Sequence, residues 1–289
     1  MCSSDLSWHW VFVATVPLGL LSLLVGQRSL PDVTPHTDPF GLLGAAWCAL
    51  TFGLIISGLL ALSQGQPISG SLAAVAAGTL CAVAFIRREL REATPILPVD
   101  LLADRVVALS IAGAQCAFIG SMTFILALPF RLQQHFGFSS GEVGAVIAPW
   151  PLAMMVTAPV AGALSDRYHP GILGGIGMAL ATLGMLLLAL MPDGASQADI
   201  AWRMVVCGLG YGIFLSPNAR VVIAAAPLAR AASAGGLIST NRLVGQALGG
   251  TLLAGLLALG HGSDSTPAFI AAALALLAGI CSVARLNYR

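Results

Sequence analysis

An acid and a base stand side by side at Asp166 and Arg167, in the polar break "GALSDRYHP" between two long apolar runs. A charged pair at such a break can tie the ends of neighbouring segments together and let them go again. A second constellation lies inside an apolar run: Ser239, Thr240, Asn241, Arg242 and Gln246. Arg242 and Gln246 are four residues apart, so a helix would put them on one face. Gln115, Tyr211 and Asn218 are further polar side chains set in apolar surroundings. In a membrane such groups are costly against lipid and mark solute or ion paths. Arg242 has two readings: contact with a passing solute or proton, or a gating or structural group that snorkels to the interface. Enzyme signatures are missing. There is no GxSxG and no HExxH, and a P-loop needs a Lys that the chain lacks. His9, His36, His135, His169 and His261 are scattered. No metal site, no cofactor and no enzymatic activity are expected.

The elements that must position these residues follow from composition. The chain has 289 residues, 57% hydrophobic and only 9% charged, with a mean hydropathy of +0.91. Soluble domains carry about 25% charged residues, so an integral membrane protein is indicated. A net charge of +1 gives nucleic acid nothing to bind. Nine stretches reach the length of a helical span: 8–27, 40–62, 69–86, 107–130, 141–164, 171–191, 200–221, 236–260 and 267–285. They are too long and too evenly apolar for barrel strands. The fold class is all-α integral membrane. Cys48, Cys81, Cys116, Cys207 and Cys281 lie inside these runs without CxxC spacing and read as small hydrophobes.

The arginines orient the bundle. Arg28, Arg87, Arg88, Arg91, Arg105, Arg167, Arg220, Arg230, Arg285 and Arg289 fall on one side; Arg131 and Arg203 fall on the other. By the positive-inside tendency the richer side is cytoplasmic, the N-terminus outside and the C-terminus inside. Glu142 follows Ser139 at capping-box spacing on the outer side.

Gly162, Asp166 and Arg167 form G-x-x-x-D-R, which resembles the cytoplasmic loop motif of the major facilitator superfamily; "YHPG" stands where further basic residues would follow. The motif joins the second and third helices of a six-helix half, and its acid and base pair with neighbouring helix ends. "SWHWVFVATVPLGLL", "PILPVDLLADR", "GLGYGIFLSPN" and "NRLVGQALGG" extend the resemblance to the fourteen-helix drug:proton antiporter branch. It implies a major-facilitator-type bundle with about nine of fourteen transmembrane helices. Residues 7–30 would be the last helix of the first half, 31–86 an extra two-helix insert, 87–106 a cytoplasmic linker and 107–289 the second half. Residues 1–6, "MCSSDL", look like a translated sequencing adapter, and a non-native start on a truncated chain is expected.

The resemblance further implies a secondary transporter in the bacterial cytoplasmic membrane. It would export drugs or other small amphipathic molecules against inward proton flow, with the lipid bilayer, the substrate, protons and the missing N-terminal half as its partners. The gating motif is Gly162, Asp166 and Arg167. The candidate path comprises Gln115, Tyr211, Asn218, Asn241, Arg242 and Gln246. The proton-coupling carboxylate would lie in the missing half, since no acid occupies a span interior here. The resemblance also implies that the first, second, fourth and fifth helices of the half line a central cavity and that the third and sixth, 171–191 and 267–285, face outward; the last two are the least polar, in keeping with that architecture. The rival class is a non-transporting membrane interaction or scaffold protein.

Overall fold

The computed structural model describes residues 9–29, 42–63, 66–91, 99–227 and 230–288. The expected non-native start, the loop at 30–40 and the stretch 92–98 of the linker lie outside the described residues. Every regular element described is helical: α1 (His9–Ser29), α2 (Leu42–Ser63), α3 (Ile68–Glu89), α4 (Arg105–Phe136), α5 (Ser140–Ile147), α6 (Pro149–Leu164), α7 (Pro170–Ala189), α8 (Gln197–Ala225), α9 (Ala231–Ala258) and α10 (Thr266–Ala284). Short 3-10 turns cover Val99–Ala103 and Arg285–Asn287. A helix bonds its own backbone, which is what a chain in hydrocarbon requires. Among the described residues seven spans are long and apolar enough to cross a membrane, with α5 and α6 counted as one. Helix α9 is long enough but has the polar string Ser239 to Arg242 in its first half.

The helix ends are written locally. Asp104 caps α4 by accepting from Val106 N–H at 2.7 Å and Val107 N–H at 3.3 Å. Gly137, at φ +67°, closes the same helix in the left-handed conformation, where a side chain would be strained. Ser139 and Glu142 form the expected capping box. Pro149 and Pro151 lack N–H groups, and the single run 141–164 is interrupted at Ala148.

Chain segments Met1–Phe40 and Gly41–Arg289 form two compact units. The first holds α1, with Pro17 inside it and apolar side chains exposed along it. In the second, α8 packs along α6 and α7, α10 along α7 and α4, and α4 along α9. The α2–α3 hairpin meets this group through α2 and α9. Association of helices in lipid depends on close contact, because hydrocarbon offers no hydrophobic drive. The glycine run of α8 serves that need. Gly208 and Gly212 face Trp150 and Thr157 on α6, and Gly210 between them faces Gly177 and Ala181 on α7.

The third and sixth helices of the expected half, α7 and α10, each keep one open apolar face, with Ile172, Ile176 and Leu183 exposed on α7 and Leu276, Ile280 and Val283 on α10. Their other faces are packed: half of the apolar stretch of α7 and 44% of that of α10 are buried, against 22% for the α5–α6 span. Their small residues, such as Ala181 on α7 and Ala271 and Ala275 on α10, allow close packing on both sides. The more open faces belong to α6, where Leu152, Met155, Val156 and Val160 are exposed, and to α9 at Arg242 and Leu243. Helix α3 also runs past the expected span, through Arg87 and Arg88, and buries Glu89 at its end.

Candidate functional site

The Arg-rich end of the bundle is organised around the last turns of α8. Asp166, in the α6–α7 connection, forms an ion pair with Arg220, which also donates to Ser165 Oγ at 3.0 Å. Both charged side chains are more than half exposed. Arg167 is exposed. Gly162 sits one turn earlier, where an added Cβ would meet Ser216 Oγ at 3.1 Å. Its bareness lets the α6 end approach α8 and brings Asp166 within reach of Arg220.

Asn218, two residues before Arg220, is 4% exposed and faces another partner. Arg285, at the end of α10, is 2% exposed. Its Nη1 donates to Asn218 Oδ1 and to Ser110 Oγ, each at 2.8 Å, and its Nη2 donates to Ser282 Oγ at 2.7 Å. Asn218 Nδ2 then donates to the Ser110 carbonyl at 3.1 Å. A buried cation is thus held by neutral dipoles from α4, α8 and α10. Room for it comes from α7, where a Cβ at Gly174 would lie 3.2 Å from Arg285 Nη2. Sequence reasoning assigned Arg285 a topological role alone. The available signal was its position three residues after Ser282, at the spacing of one helical turn.

In mid-bundle the structure brings Gln115 and Asn241 together. In the amide orientation that satisfies both ends, Gln115 Nε2 donates to the Asn241 carbonyl at 2.9 Å and Gln115 Oε1 accepts from Gly245 N–H at 3.3 Å. Asn241 Nδ2 donates to the Ile111 carbonyl at 3.2 Å. These bonds zip α4 to α9. Tyr211 is 2% exposed, donates to the Ala117 carbonyl at 3.0 Å and stacks against Trp150, with ring centroids 5.1 Å apart. Trp150 in turn stacks on Phe124 at 5.7 Å. Tyr211 therefore packs the α4–α6–α8 core. Arg242 is exposed and Gln246 half-buried. The six path candidates thus form no single surface: Gln115 and Asn241 share one seam, Asn218 and Tyr211 lie in two others, Gln246 is half-buried on α9 and Arg242 is exposed.

At the opposite end stand Arg131 and Arg203, the two that break the charge asymmetry. Both reach the C-terminus of α7. Arg131 donates to the carbonyls of Leu188 at 2.8 Å and Ala189 at 3.3 Å. Arg203 donates to Leu187 and pairs with Asp199 at 2.8 Å. Helix C-termini carry free carbonyls and partial negative charge, which cations satisfy. Near the other end, Arg230 grips Asp100 with two bonds of 2.7 and 2.8 Å and holds that carboxyl below its ordinary pKa. This ties the turn before α4 to the start of α9. Among the described residues no group of His, Cys, Asp and Glu is arranged to hold a metal ion.

Residues 1–250 match the family model described as Major Facilitator Superfamily. The uncharacterized transporter YebQ of Escherichia coli K12 is 39% identical over 284 residues, covering 97% of this chain and 62% of that protein. The tetracenomycin C resistance and export protein of Streptomyces glaucescens is 30% identical over 264 residues, covering 87% of this chain and 47% of that protein. The multidrug efflux pump LfrA of Mycolicibacterium smegmatis is 26% identical over 245 residues, covering 84% and 49%. The chain spans about half to three-fifths of the length of these curated relatives.

Proposed function

The chain belongs to the Major Facilitator Superfamily, and from that premise we propose that it forms the second half of a proton-coupled efflux permease for small amphipathic molecules. It is a multi-pass membrane protein with no enzymatic role. Alternating access requires a helix group that moves as a body and ties at its ends that open and close. The observation that carries the reading is the Asp166–Arg220 pair. It joins the α6–α7 connection to the end of α8, and both partners are within reach of water. An exposed pair of this kind is worth about 0–1 kcal/mol, so it can bias one gating state without locking it.

The rest of the bundle supports the division of labour. The buried Arg285 cluster and the arginine caps on α7 hold α4, α7, α8 and α10 as a rigid block. The open faces of α6 and α9 are the surfaces that a further set of helices would cover. In this reading the Arg-rich end is cytoplasmic, and the proton-coupling carboxylate belongs to the other half. The names of two relatives, a multidrug efflux pump and a tetracenomycin C resistance and export protein, favour amphipathic substrates for this chain too.

The test is dye extrusion from everted vesicles of a bacterial strain lacking its own efflux pumps. The chain is expressed alone and fused behind the part of the E. coli relative that it does not cover. The fusion should move ethidium or a neutral dye when a proton gradient is imposed and stop when nigericin collapses it. A stably inserted fusion that moves no dye under any gradient would return the chain to the scaffold class.

A further inference from the structure

Helix α3 ends in a basic hollow of about 520 Å³ lined by Ala84, Arg87, Arg88 and Arg91. Arg87 and Arg91 are exposed and Arg88 is half-buried. Arg87 and Arg91 make no hydrogen bond or ion pair among the described residues. This sets them apart from other arginines of the same charge-rich end. Arg220 and Arg230 pair with Asp166 and Asp100, Arg285 is held by neutral dipoles, and Arg105 lies over the Tyr288 ring at 5.3 Å. Glu89, the acid on the same turn as the hollow, is 3% exposed and takes no part in its wall.

The hollow continues an apolar stripe. Helix α3 turns one face to α2, where an added Cβ at Gly78 would lie 2.9 Å from Ile55 N. Ser71, Phe85 and Glu89 are buried on that same face. Leu80, Ala84, Arg87 and Arg91 follow one another at steps of four, three and four residues, so they share the opposite face. Leu80 is 72% exposed, and Val83 beside it is exposed too. The rise from Leu80 to Arg87 is about 10 Å, which lies within the roughly 15 Å of hydrocarbon in one leaflet. Exposed hydrocarbon that ends in guanidinium groups matches the profile of a phospholipid, chains first and phosphate at the end.

We propose that this hollow binds the phosphodiester of an anionic phospholipid, with Arg87 and Arg91 as donors and the acyl chains lying along Leu80 and Val83. Guanidinium forks match phosphate oxygens in geometry as well as charge. Arg87 and Arg91 stand about 6 Å apart along the helix axis, so both forks can reach one phosphate. A zwitterionic lipid is disfavoured, because its ammonium would meet three arginines and no acid in the wall. A free phosphate would use the arginines and leave the stripe idle. Bound lipid would pin the end of α3 to the headgroup layer, where basic side chains next to a span attract anionic lipid. The proposal needs only that the chain lies in a membrane; it does not depend on the transport reading.

The test titrates the purified chain, in a nonionic detergent, with dioleoyl phosphatidylglycerol or dioleoyl phosphatidylcholine, which differ in headgroup alone. Native mass spectrometry counts the bound lipid. Phosphatidylglycerol should bind at least about tenfold more tightly than phosphatidylcholine. Arg87→Gln and Arg91→Gln should each weaken phosphatidylglycerol about fivefold and leave phosphatidylcholine unchanged. Arg105→Gln removes the same charge from the same end of the bundle and should leave both affinities as they are. Glycerophosphoglycerol, the headgroup without its chains, should fail to displace the lipid even in large excess. An unchanged melting midpoint in the Gln variants shows that the fold is intact; if a midpoint falls, the lipid ratio and the headgroup competition in the native chain decide. Equal affinity for the two lipids overturns the site. An equal loss in Arg105→Gln overturns it too, by showing attraction to overall charge. Displacement by the bare headgroup would make the ligand a soluble phosphate. Loss of the lipid preference in the efflux fusion would mean that a segment of the other half covers the arginines, and the lipid assignment would fall. A fusion that moves no dye but keeps the preference would remove the transport reading and leave the site standing.

Discussion

Asp166 closes on Arg220, fifty-four residues away, and not on its neighbour Arg167. Adjacent residues at a helix end point in different directions, so the partner is whichever charge the next helix presents. Here that is Arg220, in the penultimate turn of α8 and two residues beyond Asn218, which is itself bonded to Arg285. Two ties, one exposed and one buried, thus converge on one helix end.

The exposed tie should matter for rate more than for stability. Asp166→Asn and Arg220→Gln, alone and combined, should each shift unfolding by less than about 1 kcal/mol. In the efflux fusion each should slow extrusion, and the double variant should be no slower than the worse single one. Additive slowing in this double-mutant cycle would mean that the two residues act separately.

The buried tie should behave in the opposite way. Arg285→Ala leaves Asn218 and Ser110 facing a void and should cost about 3 kcal/mol, in line with hydrogen bonds to charged groups in buried settings. Lys at this position supplies the charge without the fork and should recover only part of the loss. Thermal unfolding in detergent reads both. An Arg285→Ala chain as stable as the native one would mean that the cluster is incidental.

Two adjacent glycines on α9 offer an internal control. An added Cβ at Gly249 would lie 2.6 Å from the Ile119 carbonyl and 2.8 Å from Met122 Cβ, and would disturb the 3.1 Å bond from Thr123 Oγ1 to the Gly249 carbonyl. At Gly250 the nearest atom is Leu126 Cδ1 at 3.7 Å. Gly249→Ala should destabilise by about 1–3 kcal/mol through overpacking. Gly250→Ala should be neutral or stabilising, because Ala favours helix. Similar melting midpoints for the two variants would count against the close α4–α9 contact.

The Asp100–Arg230 tie should be lost in acid. Its carboxyl pKa is depressed in the folded chain by the bond from Arg230. A depressed acid contributes stability above its unfolded pKa of about 3.9, and loses it as pH falls through the lower folded value. Asp100→Asn should therefore speed amide exchange of the turn at Val99–Ala103 at neutral pH and make no difference below the folded pKa. A gap between variant and native chain that persists unchanged into strong acid would sink the assignment.

Run length, charge placement and the short G-x-x-x-D-R stretch were enough to determine an all-helical membrane bundle and its family, because lipid requires each span to satisfy its own backbone and that requirement is met within one local segment. Capping signals such as Ser139 with Glu142 are local too, and were legible for the same reason. Partnership is not local. Arg285 bonds Ser110 across 175 residues and Asn241 bonds Ile111 across 130. Arg131 and Arg203 looked like exceptions to a charge rule until the end of α7 came between them. Which faces of α7 and α10 are packed depended on small residues that let neighbours approach from two sides. Each of these outcomes depends on how far helices are rotated and how closely they approach. Those quantities are set by glycines and side-chain volumes on several segments at once, and so only the tertiary structure decided them.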